Sequence, residues 1–209
     1  MDRIRNIIFD FGCVLVDLDK QRCIKAFKDI GAADIAVYVD ECRQEDLFHD
    51  LEVGNTETGD FCNEVRRRCN GCNAGNDDIC NAWNALLTGI PKRRIEALVG
   101  LKRDYRLALL SNTNPIHWGK ATSDYFAYNG MNADDYFEKT YLSYKMHLLK
   151  PDRAIYQAVL DDMNITAEET LFIDDSTANC NAAKALGINV MHVSNGDEWL
   201  EKIKTITRK

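Results

Sequence analysis

Short apolar runs that each stop at a chemically capable side chain constrain this chain more than anything else in it. Ile7-Ile8-Phe9 stops at Asp10, with Gly12 two residues on. Arg106-Leu107-Ala108-Leu109-Leu110 stops at Ser111-Asn112, and the run Thr170 to Ile173 stops at Asp174-Asp175. Lys139 to Leu142 and Ile188 to Val193 give two further strand patterns, the first of them weaker. Runs without polar alternation read as strands buried on both faces of a parallel sheet. Helical patterns separate them: from Pro91 to about Arg103, from Pro115, from Lys150-Pro151, through Ala182 to Leu186 with Gly187 as the stop, and over residues 197–206. Thr166-Ala-Glu-Glu169 reads as a helix N-cap with acids in the first turn. The alternation predicts an α/β fold, a Rossmann-like parallel sheet with helices on both faces.

The alternation is interrupted once. Residues 20–30, 32–48, 57–69 and 76–88 carry helical stripes, the second ending near Phe48-His49, and nothing between residues 20 and 90 reads as a strand. The predicted organisation is a sheet-bearing core of residues 1–17 and 89–209, with an all-helical insert of residues 18–88.

At 209 residues the chain is long enough for a large domain with an insert, and its net charge is −7. That acidity argues against nucleic acid or an anionic membrane as the main partner. No segment nears the ~20 apolar residues that span a bilayer. Asp10 also interrupts the first apolar run too early for a signal peptide, so the expected location is cytoplasmic. Eight cysteines are many for that compartment, and Cys42, Cys62, Cys69, Cys72 and Cys80 fall close together. Cys69-Asn-Gly-Cys72 lacks a second metal-binding pair, and no strand precedes it, so reduced structural cysteines are expected rather than a zinc or thioredoxin-like site.

Parallel strands joined by right-handed crossovers present their carboxyl ends along one sheet edge, where ligands bind. Asp10, Ser111, Asn112, Lys150, Asp174 and Asp175 would meet there. Three clustered carboxylates repel and call for a cation, and all-oxygen ligation suits Mg²⁺. The metal, Lys150 and the Ser111 hydroxyl would then hold a phosphate, which is positioning plus charge neutralisation.

This set resembles the haloacid dehalogenase (HAD) superfamily of aspartate-nucleophile phosphohydrolases. Asp10 in FDFGCVLVD matches its first motif, Ser111 its second, Lys150 its third and Asp174-Asp175 its fourth. The resemblance implies a helical cap inserted after the first motif and a phospho-aspartyl intermediate on Asp10. It also implies Mg²⁺ held by the Asp10 carboxylate, the Gly12 carbonyl and Asp175, with Asp174 acting directly or through water. The FDxGxVxVD opening, LSNTN, the YLS…KP stretch, F-x-DD and the cap segment Phe48-His49…Glu52…Gly54 are similar to the bacterial α-D-glucose-1-phosphate phosphatase branch. A small phosphorylated metabolite, a sugar phosphate in particular, is the implied substrate, with His49 among the residues that bind it.

Gly12 departs from the common pattern, which has a second Asp there as general acid and base. Leaving-group protonation contributes about 10²–10⁴-fold, and Asp17, His49 and His117 are the candidates to supply it. Two other readings stay open: a metal-independent 2-haloacid dehalogenase of the same superfamily, and a weakly catalytic HAD module used for binding or regulation.

Overall fold

The computed structural model describes residues 4–40 and 47–207. In chain order the elements are β1 Asn6–Phe9, β2 Asp17–Leu18, α1 Lys20–Asp29, α2 Ala33–Asp40, α3 Leu47–Val53, α4 Thr58–Arg68, α5 Asn76–Asn84, β3 Leu87–Gly89 and α6 Lys92–Leu101. They continue as β4 Arg106–Ser111, α7 Pro115–Lys120 with a π-helical turn Ala121–Tyr125, α8 Ala133–Tyr136, β5 Lys139–Leu142 and α9 Ser143–Met146. The chain closes with α10 Arg153–Met163, β6 Thr170–Asp174, α11 Thr177–Ala185, β7 Asn189–His192, α12 Glu198–Lys202 and α13 Lys204–Thr207.

Among the described residues five strands form one sheet in the order β5-β4-β1-β6-β7, and every pairing in it is parallel. β1 is central, and each of its residues is buried. Strand residues alternate between two cores, as the pleat requires. Ile7, Phe9, Leu107, Leu109, Leu171 and Ile173 pack on the side of α6 and α12, through Leu98 and Trp199. Ile8, Ala108, Leu110 and Phe172 pack on the other side, against Ile155, Tyr156 and Val159 of α10 and Ala183 of α11. Both faces are covered, which is why these strands carry no polar alternation.

Helices α1 to α5 enclose a third core built from Phe27, Leu51, Phe61, Val65, Ile79 and Trp83, among others. One residue from outside the block joins it, Ile116 of α7. The expected absence of strands between residues 20 and 90 is wrong at one place. β3 pairs antiparallel with β2, Asp17 opposite Gly89 and Leu18 opposite Leu87. Two and three residues carry no readable period, so Leu87-Thr88-Gly89 looked like the tail of a helix. This short ribbon is where the chain enters and leaves the helical block.

Three other expectations need correction. Thr166 to Glu169 starts no helix: Thr170 donates from its amide to the Ala167 carbonyl (3.1 Å) and from its hydroxyl to the Thr166 carbonyl (2.7 Å). The segment is a turn into β6, and the strand begins before a helix has room to form. The helical stripe of residues 32–48 appears as α2 and α3, with α3 running on to Val53; residues 41–46 between them, Cys42 included, lie outside the described residues. The final helix is interrupted at Ile203. The described cysteines are all free thiols, Cys69 and Cys72 among them. No helix among the described residues is long and apolar enough to cross a membrane.

Candidate active site

Asp10 follows β1 directly, and its amide donates to the Ile173 carbonyl of β6 (2.9 Å), so its position is fixed by the sheet itself. The chain then hooks back on itself. Leu15 and Val16 both donate to the Phe11 carbonyl (2.9 Å each), and Val14 donates to the Gly12 carbonyl (2.7 Å). Cys13 takes the left-handed conformation, φ 56°, to make the hook. Two buried side chains hold it from outside: the Trp199 indole donates to the Val14 carbonyl (3.1 Å), and Arg94 to the Leu15 carbonyl (2.9 Å). Gly12 keeps one carbonyl lone pair free for another partner.

Lys150 is brought to the same point from the far side of the sheet. Its backbone is bracketed by the Asn112 side chain, whose Oδ1 accepts from the Lys150 amide and whose Nδ2 donates to the Lys150 carbonyl, both at 2.9 Å. Its Nζ donates to Asp10 Oδ1 and to Asp174 Oδ2, each at 2.7 Å. All three side chains are nearly or completely buried. Asp174 is further tied by the Ser176 amide (2.7 Å) and by Asn179 Nδ2 (3.1 Å to each oxygen). The Ser143 hydroxyl cross-links the ends of β4 and β5 through Thr113, and Ser111 is buried beside it.

Asp10, Asp174 and Asp175 bring carboxylate oxygens within 4.8 Å of one another. One ammonium among three carboxylates leaves two net negative charges if all are ionised. Burial pushes the Asp10 carboxyl upward, with Lys150 pulling it back, and burial and Asp174 raise Asp175. Burial alone would depress Lys150, but Asp10 and Asp174 raise it above its usual value, so it stays an ammonium. Burial first, then Asp175, pushes the Cys13 thiol up to about 12. The donor set of carboxylates and one free carbonyl lone pair is what a hard dication takes.

A cavity of about 490 Å³ opens from this edge toward the helical block. Phe11, Gly12 and Ser111 to Thr113 line its inner end, while Phe48, Glu52 and Trp83 line the outer. That volume lies within the ~300–1,000 Å³ common for small-molecule sites. Glu52 stands in this wall with its carboxyl pushed up to about 7 by burial. His49, on the same helix, is half-buried and is not among the lining residues.

The other proton-donor candidates are engaged elsewhere. Asp17 pairs with the buried Arg94 at 2.7 Å. His117 is buried and stacked on Trp83, with ring centroids 4.4 Å apart. Asn114 Oδ1 accepts from the His117 amide, so its Nδ2 faces Nδ1 as a donor, and Nε2–H points to the Trp83 carbonyl at 3.1 Å. Both ring nitrogens are satisfied by the neutral form, and burial holds the imidazole down to about 4. Its contribution to stability is therefore complete above the usual histidine value of ~6.5 and is lost as pH falls from there toward 4, up to about 3 kcal/mol. Melting temperatures of wild type and His117→Gln at pH 7 and pH 5 check this. The wild type should drop further on acidification, and equal drops would rule the account out.

Trp83 is a residue that a motif reading does not single out, because its place depends on the packing of the helical block. For Glu52 the only sequence signal is the likeness of the segment around it.

The parallel sheet, the aspartate at the end of its central strand and the oxygen-rich acidic cluster beside it are the frame of a hydrolase of α/β architecture. The chain belongs to the haloacid dehalogenase-like hydrolases, whose family model matches residues 4–187. It is 33% identical over 203 residues to a D-ribitol-5-phosphate phosphatase of Bacteroides thetaiotaomicron, covering 97% of this chain and 98% of that one. A HAD family enzyme of the same organism, solved with magnesium and inorganic phosphate, is 38% identical with a TM-score of 0.89, over 94% of this chain and 97% of that one. A HAD-like hydrolase structure from Porphyromonas gingivalis is 36% identical with a TM-score of 0.90, over 99% and 98%.

Proposed function

We propose that the protein is a Mg²⁺-dependent phosphohydrolase of small phosphorylated polyols or sugars, acting through a phospho-aspartyl intermediate on Asp10. The observation that carries this reading is the charge of the site: three carboxylates around one buried lysine. A phosphate dianion is repelled by that arrangement unless a dication joins it. The Asp10 carboxylate, the Gly12 carbonyl and Asp175 would hold Mg²⁺, with Asp174 bound directly or through water. When bound, the ion neutralises charge on the acids and on the phosphate. A dehalogenase needs no such ion, and its nucleophile would face two further acids with a single lysine to balance all three.

Asp10 attacks phosphorus in line with the departing oxygen, forming the acyl phosphate as the P–O bond to the alcohol portion breaks, and the released alkoxide takes its proton from water. Water then attacks phosphorus, releasing phosphate and restoring the carboxylate. Lys150 and the Ser111 hydroxyl take the phosphate oxygens, and Asn112 keeps Lys150 in register. Gly12 supplies no acid for the alcohol, although a Cβ there would meet only Leu18 Cδ1 at 3.6 Å. In this reading residues 1–17 and 89–209 form the catalytic core, and residues 18–88 the cap that meets the alcohol portion.

The relative named for D-ribitol 5-phosphate supports an open-chain polyol phosphate, and glucose 1-phosphate belongs to the same class of polyhydroxylated monoester. Phosphate release from both, and from p-nitrophenyl phosphate, measured with Mg²⁺ and with EDTA, is the test. Release that stops in EDTA and returns with Mg²⁺ is expected. Metal-independent turnover would favour the dehalogenase reading, and no release from any substrate would favour the regulatory one.

A further inference from the structure

Glu52 is an ionisable group in a wall that is otherwise mostly apolar. Phe48, Trp83, Leu86 and Leu87 line the same cavity, which Lys20 and Tyr38 also border. Among the described residues its carboxyl makes no hydrogen bond and no ion pair, and burial is the sole cause of its raised proton affinity. The residue is half-buried, so its carboxyl faces the space of the cavity with its acceptor positions open to a ligand. Its neighbour in the wall, Trp83, carries an indole N–H that also finds no acceptor.

The backbone that carries Glu52 is held firmly. His147, on the core side, contacts the Val53 carbonyl through Nδ1 at 2.9 Å, and α3 packs on α9. Gly54 has φ +79°, and a Cβ there would collide with the Tyr144 carbonyl oxygen. The end of α3 is thus pressed onto the core, while the side chain one residue earlier is left without a partner. A half-buried carboxyl on a firmly held backbone, open to the cavity and without a protein partner, is suited to a ligand.

We propose that Glu52 selects the alcohol portion of the substrate by accepting hydrogen bonds from its hydroxyls, so that the site takes polyhydroxylated phosphate monoesters over those with apolar leaving groups. This rests on the phosphatase reading above. Two carboxylate oxygens offer about four acceptor positions, enough for a pair of hydroxyls on adjacent carbons. Phe48 and Trp83, with ring centroids 4.4 Å apart, give C–H faces an apolar surface beside it. A substrate lacking hydroxyls leaves the carboxyl unpaired, and sites built to bind a hydroxyl discriminate strongly against its absence.

The experiment compares kcat/KM for D-ribitol 5-phosphate with that for p-nitrophenyl phosphate, which carries no hydroxyl, in wild type, Glu52→Leu and Glu52→Gln, all with Mg²⁺. The ratio of polyol to aryl phosphate should fall about 10- to 100-fold in Glu52→Leu. It should fall less in Glu52→Gln, which keeps an acceptor and the volume. An unchanged ratio in Glu52→Gln and Glu52→Leu alike would overturn the proposal, as would an equal loss on both substrates. If Glu52→Leu fails to fold, the Gln variant decides alone: an unchanged ratio overturns the assignment and a reduced one supports it. Wild type that cleaves the aryl phosphate and no polyol or sugar phosphate would refute the role of Glu52 and leave the phosphatase reading standing. Wild type that cleaves neither removes both.

Discussion

Replacing Asp10 by Asn should abolish phosphate release, a loss of roughly 10⁴-fold or more, because the amide cannot form the acyl phosphate. The fold should survive. Asn keeps the volume, and the backbone amide at this position still donates to the Ile173 carbonyl. Lys150 keeps Asp174 as its partner at 2.7 Å. The site also loses one of its mutually repelling charges, which offsets part of the lost ion pair. The melting temperature should therefore shift by only a few degrees. Malachite-green phosphate release and a thermal melt on the same preparation decide it. Residual turnover above about one per cent of wild type, with contamination excluded, would mean that another group is the nucleophile.

Lys150→Met is expected to damage both stability and catalysis. Asp10 is 7% exposed and Asp174 fully buried, and the lysine is the cation between them. Removing it leaves two desolvated carboxylates in mutual repulsion, and breaking a buried pair in this way typically costs about 3–5 kcal/mol. The loss has a pH signature. With the ammonium gone, the Asp10 carboxyl, which burial already pushes upward, loses the charge that pulls it back and binds its proton more readily in the folded state than when unfolded. The defect should be largest at neutral pH and shrink as pH falls toward 5. Mg²⁺ should also restore part of the stability, because it binds the folded site preferentially. Urea midpoints at pH 7 and pH 5, with and without Mg²⁺, measure all of this. A variant within 1 kcal/mol of wild type at pH 7 would show that Lys150 is not the counter-charge that holds the site together. Activity should be lost in either buffer, since the phosphate then has no ammonium to meet.

What could be read from the chain follows from how local each signal is. Asp10, Ser111 and Asp174 each end a buried apolar run, so their placement needed only the strand and the rule that parallel strands share an edge. Lys150 was harder, because no strand leads into it. Its backbone is set by Asn112, 38 residues away. The β2–β3 ribbon is not legible in the sequence because a pairing between residues 17–18 and 87–89 leaves no period within either segment. Thr166 to Glu169 has good capping chemistry but too little chain before β6 to use it. Residue type alone makes His117 a candidate proton donor. Its neutral, satisfied state depends on the Trp83 carbonyl, which belongs to another element altogether. Glu52 shows the same limit: its isolation is a property of the wall around it and has no counterpart in its own sequence neighbourhood.

The stacking of Trp83 on His117 has a kinetic consequence. The helix that bears His117 begins just after Ser111-Asn112-Thr113, so one short segment both lines the cavity and fastens the helical block. Any outward swing of α5 must break the indole–imidazole stack and the hydrogen bond to the Trp83 carbonyl. In the phosphatase reading proposed above, the dwell time of the alcohol product would then depend partly on that ring contact. Substitution at position 83 offers a way to alter product residence without touching a single carboxylate of the reacting centre.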